Sequence, residues 1–278
     1  MKDRKDDFVV SDAITDLEQA FPLKDLLVLD YFSRHREGYY RCYEEGWQVS
    51  PRNYYNLLQY LREIYDYREE DSRTFAKALR GSAADMPNSD ATFAEIIVYR
   101  YYIRLAYEGI IKSVQLGRQE CDVIVERLDG SGAYLEVFSI KPKLPVPAPG
   151  ERFVAYSIMT HTQDAMASVR QKLLRKIHEQ NQMTKPRDNY AVIELNDPSI
   201  AGDFAVLSSL SSGYKVMIDK TTMKTVDAGY DWTGSVFENE ATRHLKGVIF
   251  FDLGDYESRR FIHNPFFQKV AAIEKTLT

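Results

Sequence analysis

Cysteine is scarce in this chain. Cys42 and Cys121 are the only two, and neither belongs to a CxxC pair or a Cys/His cluster. Two unpatterned cysteines exclude a disulfide framework and fit a reducing compartment with both thiols free. A basic excess is also missing. Lys and Arg number 36 against 41 Asp and Glu, a formal net charge of −5. That excludes a globally basic nucleic-acid binder, so any contact with DNA or RNA needs a local basic patch. No apolar run reaches the length of a membrane span. The first residues, MKDRKDDFVVSD, are charged and lack the apolar core of a signal peptide. The expected location is therefore cytoplasmic, with no membrane partner. There is no GxGxxG, P-loop, GxSxG or HExxH motif. The five histidines are scattered; His161 and His263 are the two to test for closeness to any site.

What the chain does have is an ordinary globular composition, with 44% hydrophobic and 28% charged residues among 278. That is enough for one large domain or two modest ones. Residues 1–88 read as a helical N-terminal region. Helical spacing is clearest over 52–68, where Tyr55, Leu58, Leu61 and Ile64 recur on one face. Shorter helices are expected over 13–20, 24–37 and 71–79. Thirteen of the nineteen tyrosines lie at or before Tyr107, at spacings that suit helix packing better than base stacking. The Gly, Ser, Pro and Asn of segment 81–90 mark the expected boundary, and 89–278 reads as an α/β domain. A helix over 91–108 leads it, carrying Glu95 in its first turns.

Residues 120–141, ECDVIVERLDGSGAYLEVFSIK, are the organising stretch. Two β-rich runs, 121–127 and 133–140, flank Asp129-Gly130-Ser131-Gly132, the pattern of a hairpin. Each run carries a carboxylate where a buried strand would want an apolar residue: Asp122 and Glu136. Each lies seven residues from Asp129, so closing the hairpin brings them to nearly the same level. Two close carboxylates repel and lose hydration, and a divalent cation between them removes that cost.

Downstream come a proline-rich loop over 141–151, a strand over 153–159, a helix over 164–182 and a strand over 190–195. A helix over 199–210, a second hairpin over 214–228 and a helical segment over 238–245 follow. A buried strand over 247–253, an edge strand over 260–263 and a terminal helix over 265–277 close the chain. The stretch 170–187 is the most basic, with Arg170, Lys172, Arg175, Lys176, Lys185 and Arg187 against Glu179 alone. It reads either as a solvated helix face or as a contact for a phosphate backbone.

An Asp, a hairpin turn, and a Glu on the next strand, after a helix bearing Glu95, resemble the PD-(D/E)XK restriction-endonuclease-like superfamily. The resemblance covers roughly residues 89–265. It implies a mixed central sheet flanked by helices and a metal-dependent nuclease. Asp122 and Glu136 would bind Mg²⁺ or Mn²⁺, with Glu95 assisting. The family places a Lys two residues after the Glu; here that position is Phe138. Some members take the basic group from the following helix, which makes Lys172 the first candidate and Lys176 the second. The implied partner is nucleic acid, DNA ahead of RNA, with a protein partner or a homodimer open. The rival expectation is a nuclease-like domain without catalysis that binds nucleic acid or protein.

Overall fold

The structure, a computed structural model, describes residues 19–21, 23, 54–81, 86–117, 121–140, 158–178, 183, 187–196 and 203–267. The chain forms two compact units, Met1–Gln115 and Leu116–Thr278. The fold is α/β, with a mixed six-stranded sheet.

In the first unit, helix α1 (Tyr54–Tyr67) buries Leu57, Leu58, Leu61 and Ile64 along one stripe. Helix α2 (Glu69–Gly81) opens with three acidic residues, which favour the positive end of the helix dipole. Helix α3 (Met86–Tyr107) is tied to both of these helices. Arg100 Nε donates to Glu63 Oε2 on α1 at 2.6 Å, and the buried Tyr99 hydroxyl donates to Asp71 on α2. That is why the units divide after α3 and not within 81–90. Tyr99 is fully buried, and Tyr67 meets Tyr107 edge-on at 5.6 Å, as expected of helix-packing tyrosines. Gly109, at φ +70°, ends α3. Its N–H donates to Ala106 O, and that of Ile110 to Leu105 O, the paired bonds of a glycine C-cap.

The six strands run in the order β1-β2-β3-β4-β7-β8. They are β1 (Ser113–Leu116), β2 (Val123–Glu126), β3 (Gly132–Ile140), β4 (Asp188–Leu195), β7 (Leu245–Asp252) and β8 (Asp255–His263). β2 and β3 are the antiparallel hairpin the sequence predicts, with Gly130 in the turn at φ +83°. β3, β4 and β7 are parallel neighbours, and β8 returns antiparallel at the edge. Strands buried on both faces read as continuous apolar runs, which is why β4 and β7 stand out in the sequence. Helix α4 (Ile158–His178) links β3 to β4. Its Val169, Leu173 and Ile177 pack with Phe138 and Ile140 of β3 and Ala191, Ile193 and Leu195 of β4. Helix α5 (Asp203–Leu210) adds Val206 and Leu210 to that core. β5 (Gly213–Ile218) and β6 (Thr225–Asp231) form the second hairpin, a separate two-stranded sheet.

Two local expectations are corrected. Residues 238–245 are not one helix. Two short 3₁₀ turns, Val236–Glu238 and Glu240–Thr242, precede β7. Asn239 between them is extended, and its side chain accepts the Ala241 N–H at 2.9 Å, which diverts the backbone from a continuous helix. Ile158 and Met159, read as the end of a strand, belong to α4. Their β-branched and flexible apolar side chains do not distinguish strand from buried helix. The rest of that strand, the proline-rich loop, the helix over 24–37 and most of the terminal helix lie outside the described residues. Among the described residues, no helix is long and apolar enough to cross a membrane.

Candidate active site

The β2–β3 ladder runs from Glu126↔Gly132 to Val123↔Leu135. One step further, Asp122 stands opposite Glu136, the level that equal spacing from Asp129 predicts. The Asp122 N–H still donates to Leu135 O at 3.0 Å. Beyond it the ladder stops, because the Asp122 side chain takes over: Oδ2 accepts the Val137 N–H at 2.7 Å. A buried backbone donator must be satisfied somewhere, and here a carboxylate satisfies it.

Side chains alternate across a strand, so Glu136 shares its face with Phe138 and Ile140, the face that packs under α4. Glu136 is completely buried. Its Oε1 forms an ion pair with Lys176 of α4, while its Oε2 is buried with no hydrogen-bond partner. A buried orphan acceptor is costly unless something occupies it. When both carboxyls are ionised neither can donate to the other. A single proton on Glu136 lets it donate to Asp122. The electrostatics agree with that arrangement. Burial first, then the charge of Asp122, pushes the Glu136 carboxyl up to about 8, with Lys176 opposing. Burial also raises Asp122, against the pull of Lys176 and the Val137 amide. The two carboxyls thus titrate as one unit that holds a proton into the neutral range.

The two candidate lysines divide. Lys176 reaches the carboxylates. Lys172, one turn earlier on α4, donates to Ser139 O at 2.8 Å and sits 5.7 Å from the Phe138 ring. Phe138, at the family's lysine position, is 1% exposed and belongs to the core. Glu95 is half-buried on α3 in the first unit, whereas the carboxylate pair lies wholly in the second. His161 is in α4, fifteen residues before Lys176 and so about 22 Å along the axis. His263 ends β8, three strands from β3, about 14 Å by strand spacing. His263 stands apart from the pair. Cys121 is buried and free, its thiol pushed up to about 12 chiefly by burial, which makes it inert.

Two neighbours were not singled out from sequence. Tyr134 lies one same-face step before Glu136, and the Arg187 guanidinium stacks 3.7 Å from its ring centroid. Arg187 Nε is anchored on Asn189 Oδ1 at 3.1 Å. The available signal was that Arg187 closes the basic stretch and Tyr134 keeps the parity of Glu136.

Among the described residues, no group of three or more His, Cys, Asp or Glu converges as a metal cage. Two carboxylates still suit Mg²⁺, which keeps several waters and is held by one or two carboxylates together with substrate phosphate. The orphaned Glu136 Oε2 fits such an ion. Comparison of the chain with protein-family models, with curated proteins and with solved structures finds no match.

Proposed function

We propose that the protein is a divalent-metal-dependent nuclease of the restriction-endonuclease-like kind, hydrolysing phosphodiester bonds of nucleic acid, DNA ahead of RNA. The observation that carries this reading is the pair formed by the half-buried Asp122 and the fully buried Glu136. They sit at one level on adjacent strands, with an unpartnered carboxylate oxygen and an ammonium from the next helix. The order α3-β1-β2-β3-α4-β4 supports it, since the resemblance implies a helix, a hairpin, a helix and a strand in that sequence.

Asp122 and Glu136 would hold Mg²⁺ or Mn²⁺. When bound, the ion supplies an acidic water and positive charge beside the phosphoryl oxygens. Lys176 neutralises Glu136 in its absence and is the group placed to steady developing negative charge at the phosphorus. Arg187, preorganised on Tyr134, offers a planar donor set for a neighbouring phosphate. Lys172 holds the end of β3 in register with α4. For Glu95, on α3 in the first unit, a supporting part in metal binding rests on the resemblance alone.

A non-catalytic reading rests on one observation. Phe138 fills the lysine position with core, so the unit could keep the fold as a nucleic-acid-binding or protein-interaction module. The deciding experiment is calorimetric titration of Mg²⁺ and Mn²⁺ into wild type and Asp122→Ala/Glu136→Ala, with single- and double-stranded substrates incubated alongside. Metal binding that disappears in the double variant, together with cleavage, supports the nuclease. Metal binding without cleavage of any substrate favours the module. No binding at millimolar metal sinks the catalytic reading.

A further inference from the structure

A cavity of about 300 Å³ opens between α4 and the two 3₁₀ turns of the second unit. Arg170 and Leu174, one helical turn apart on α4, line one side. Ser235, Val236, Glu238 and Asn239 line the other. Residues two apart in a helix point about 200° apart, so Arg170 and Leu174 lie on the flank of α4 away from Lys172 and Lys176. The core stripe of Val169, Leu173 and Ile177 runs between the two flanks. The cavity is therefore separate from the carboxylate pair.

Its far wall is preorganised. The buried Thr242 hydroxyl reaches Val236 O at 2.7 Å and Asn239 O at 2.8 Å, which bolts the two turns together. Glu238 is engaged by its own segment, with Oε2 accepting the Gly234 N–H. Asn239 Oδ1 accepts the Ala241 N–H at 2.9 Å, which leaves the NH₂ end of that amide as a donor. Ser235 is the residue that the fold does not explain. It stands at the cap of the first turn, where a Ser side chain ordinarily accepts a backbone N–H. Its side chain makes no such bond. It is 4% exposed, and its Oγ is buried with no hydrogen-bond partner. A buried hydroxyl in that state is costly, and a bound acceptor removes the cost. Arg170 is exposed, and among the described residues it forms no ion pair, although Glu238 lines the same cavity.

We propose that this cavity binds a small molecule with an oxyanion head, a carboxylate or a phosphate, on a short apolar body. Three donors converge on it: the Arg170 guanidinium, the Asn239 NH₂ and the Ser235 hydroxyl. A guanidinium beside neutral donors suits an oxyanion. A cation would meet Arg170 and a single carboxylate already engaged by Gly234. Leu174 and Val236 give the body an apolar lining. The volume lies at the small end of ligand sites, which fits a metabolite-sized molecule and not a polymer.

The test is a ¹⁵N-correlated titration of the metal-free full chain with inorganic phosphate, butyl phosphate and butyrate, each to tens of millimolar. Butyl phosphate or butyrate should shift the Gly234, Ser235 and Asn239 amides saturably, and the one that does identifies the head group. Inorganic phosphate, which lacks the body, should bind more weakly than butyl phosphate. Arg170→Gln, at an exposed position, should keep its circular dichroism spectrum and bind about tenfold more weakly. Ser235→Ala should also weaken binding, yet melt no lower than wild type, because it deletes an unpaired hydroxyl. Absence of a saturable shift with all three compounds overturns the inference, as does binding undiminished in Arg170→Gln. A Ser235→Ala protein that melts lower and binds like wild type overturns it too, since the hydroxyl would then be structural.

Discussion

The ammonium of Lys176 on α4 closes on the carboxylate of Glu136 on β3, forty residues earlier in the chain. Within that ion pair Glu136 is fully buried and Lys176 only partly exposed. Removing the ammonium strands the remaining negative charge of the proton-sharing Asp122–Glu136 pair, so Lys176→Met should cost about 3 kcal/mol at neutral pH. The loss should shrink at lower pH, where the pair takes up its second proton. Glu136→Gln/Lys176→Met should recover most of the stability. Urea denaturation of the two single variants and the double variant measures the coupling directly. On the proposed reading, Lys176→Met should also lower cleavage by at least a hundredfold.

Stability should also depend on pH through the pair. The folded Glu136 carboxyl is raised to about 8 from 4.5. Between those values the unfolded chain has released a proton that the folded chain still holds. Stability therefore falls as pH rises through that window, by up to about 1.4 kcal/mol per unit, and levels off above it. Asp122 is raised too and acts in the same direction. Glu136→Gln should flatten the slope. Thermal melts across pH 5–9, with and without Mg²⁺, check this. If the ion binds the pair it must displace the shared proton, so its affinity should rise over the same window.

Restoring the family's lysine at position 138 should fail. Phe138 packs with Val169, Leu173 and Ile177 of α4. Phe138→Lys buries an amine there and should cost at least about 3 kcal/mol without raising activity. A variant that keeps its melting temperature and cleaves faster would show that the position faces the site.

Asn189 links the stability of the fold to the position of Arg187. Its buried amide donates to Met183 O and His244 O, at 3.3 and 3.0 Å, joining the loops before β4 and β7. Asn189→Ala leaves two carbonyls unsatisfied and should cost about 2–3 kcal/mol. Because Asn189 also anchors Arg187, substrate affinity should weaken in parallel, which Arg187→Gln should reproduce with little loss of stability.

The sequence made the carboxylate pair legible because hairpin closure is arithmetic: Asp122 and Glu136 are equidistant from Asp129, and the register obeys that symmetry. The order of Lys172 and Lys176 was not legible. They lie one helical turn apart on the same side of α4, and only the depth of the packed helix against β3 decides which one meets Glu136. Arg187 was hidden for a similar reason, since its stacking partner Tyr134 comes from a strand more than fifty residues earlier. The segment 238–245 failed locally, because one Asn side chain competes with the helix for a backbone N–H. The division of the chain after α3 depends on Arg100 and Tyr99 reaching back to α1 and α2, contacts that composition does not encode.

The hydrogen bond from Val137 N–H to Asp122 has a spectroscopic consequence. An amide proton that points at a carboxylate is deshielded according to the charge on that carboxylate. The state of the pair is thus written into one backbone resonance, with no label or substrate required. In a ¹⁵N-correlated spectrum, the Val137 peak should move as the pair loses its proton and move again as an ion takes the proton's place. Its distance along that path reports occupancy even in a variant that cleaves nothing.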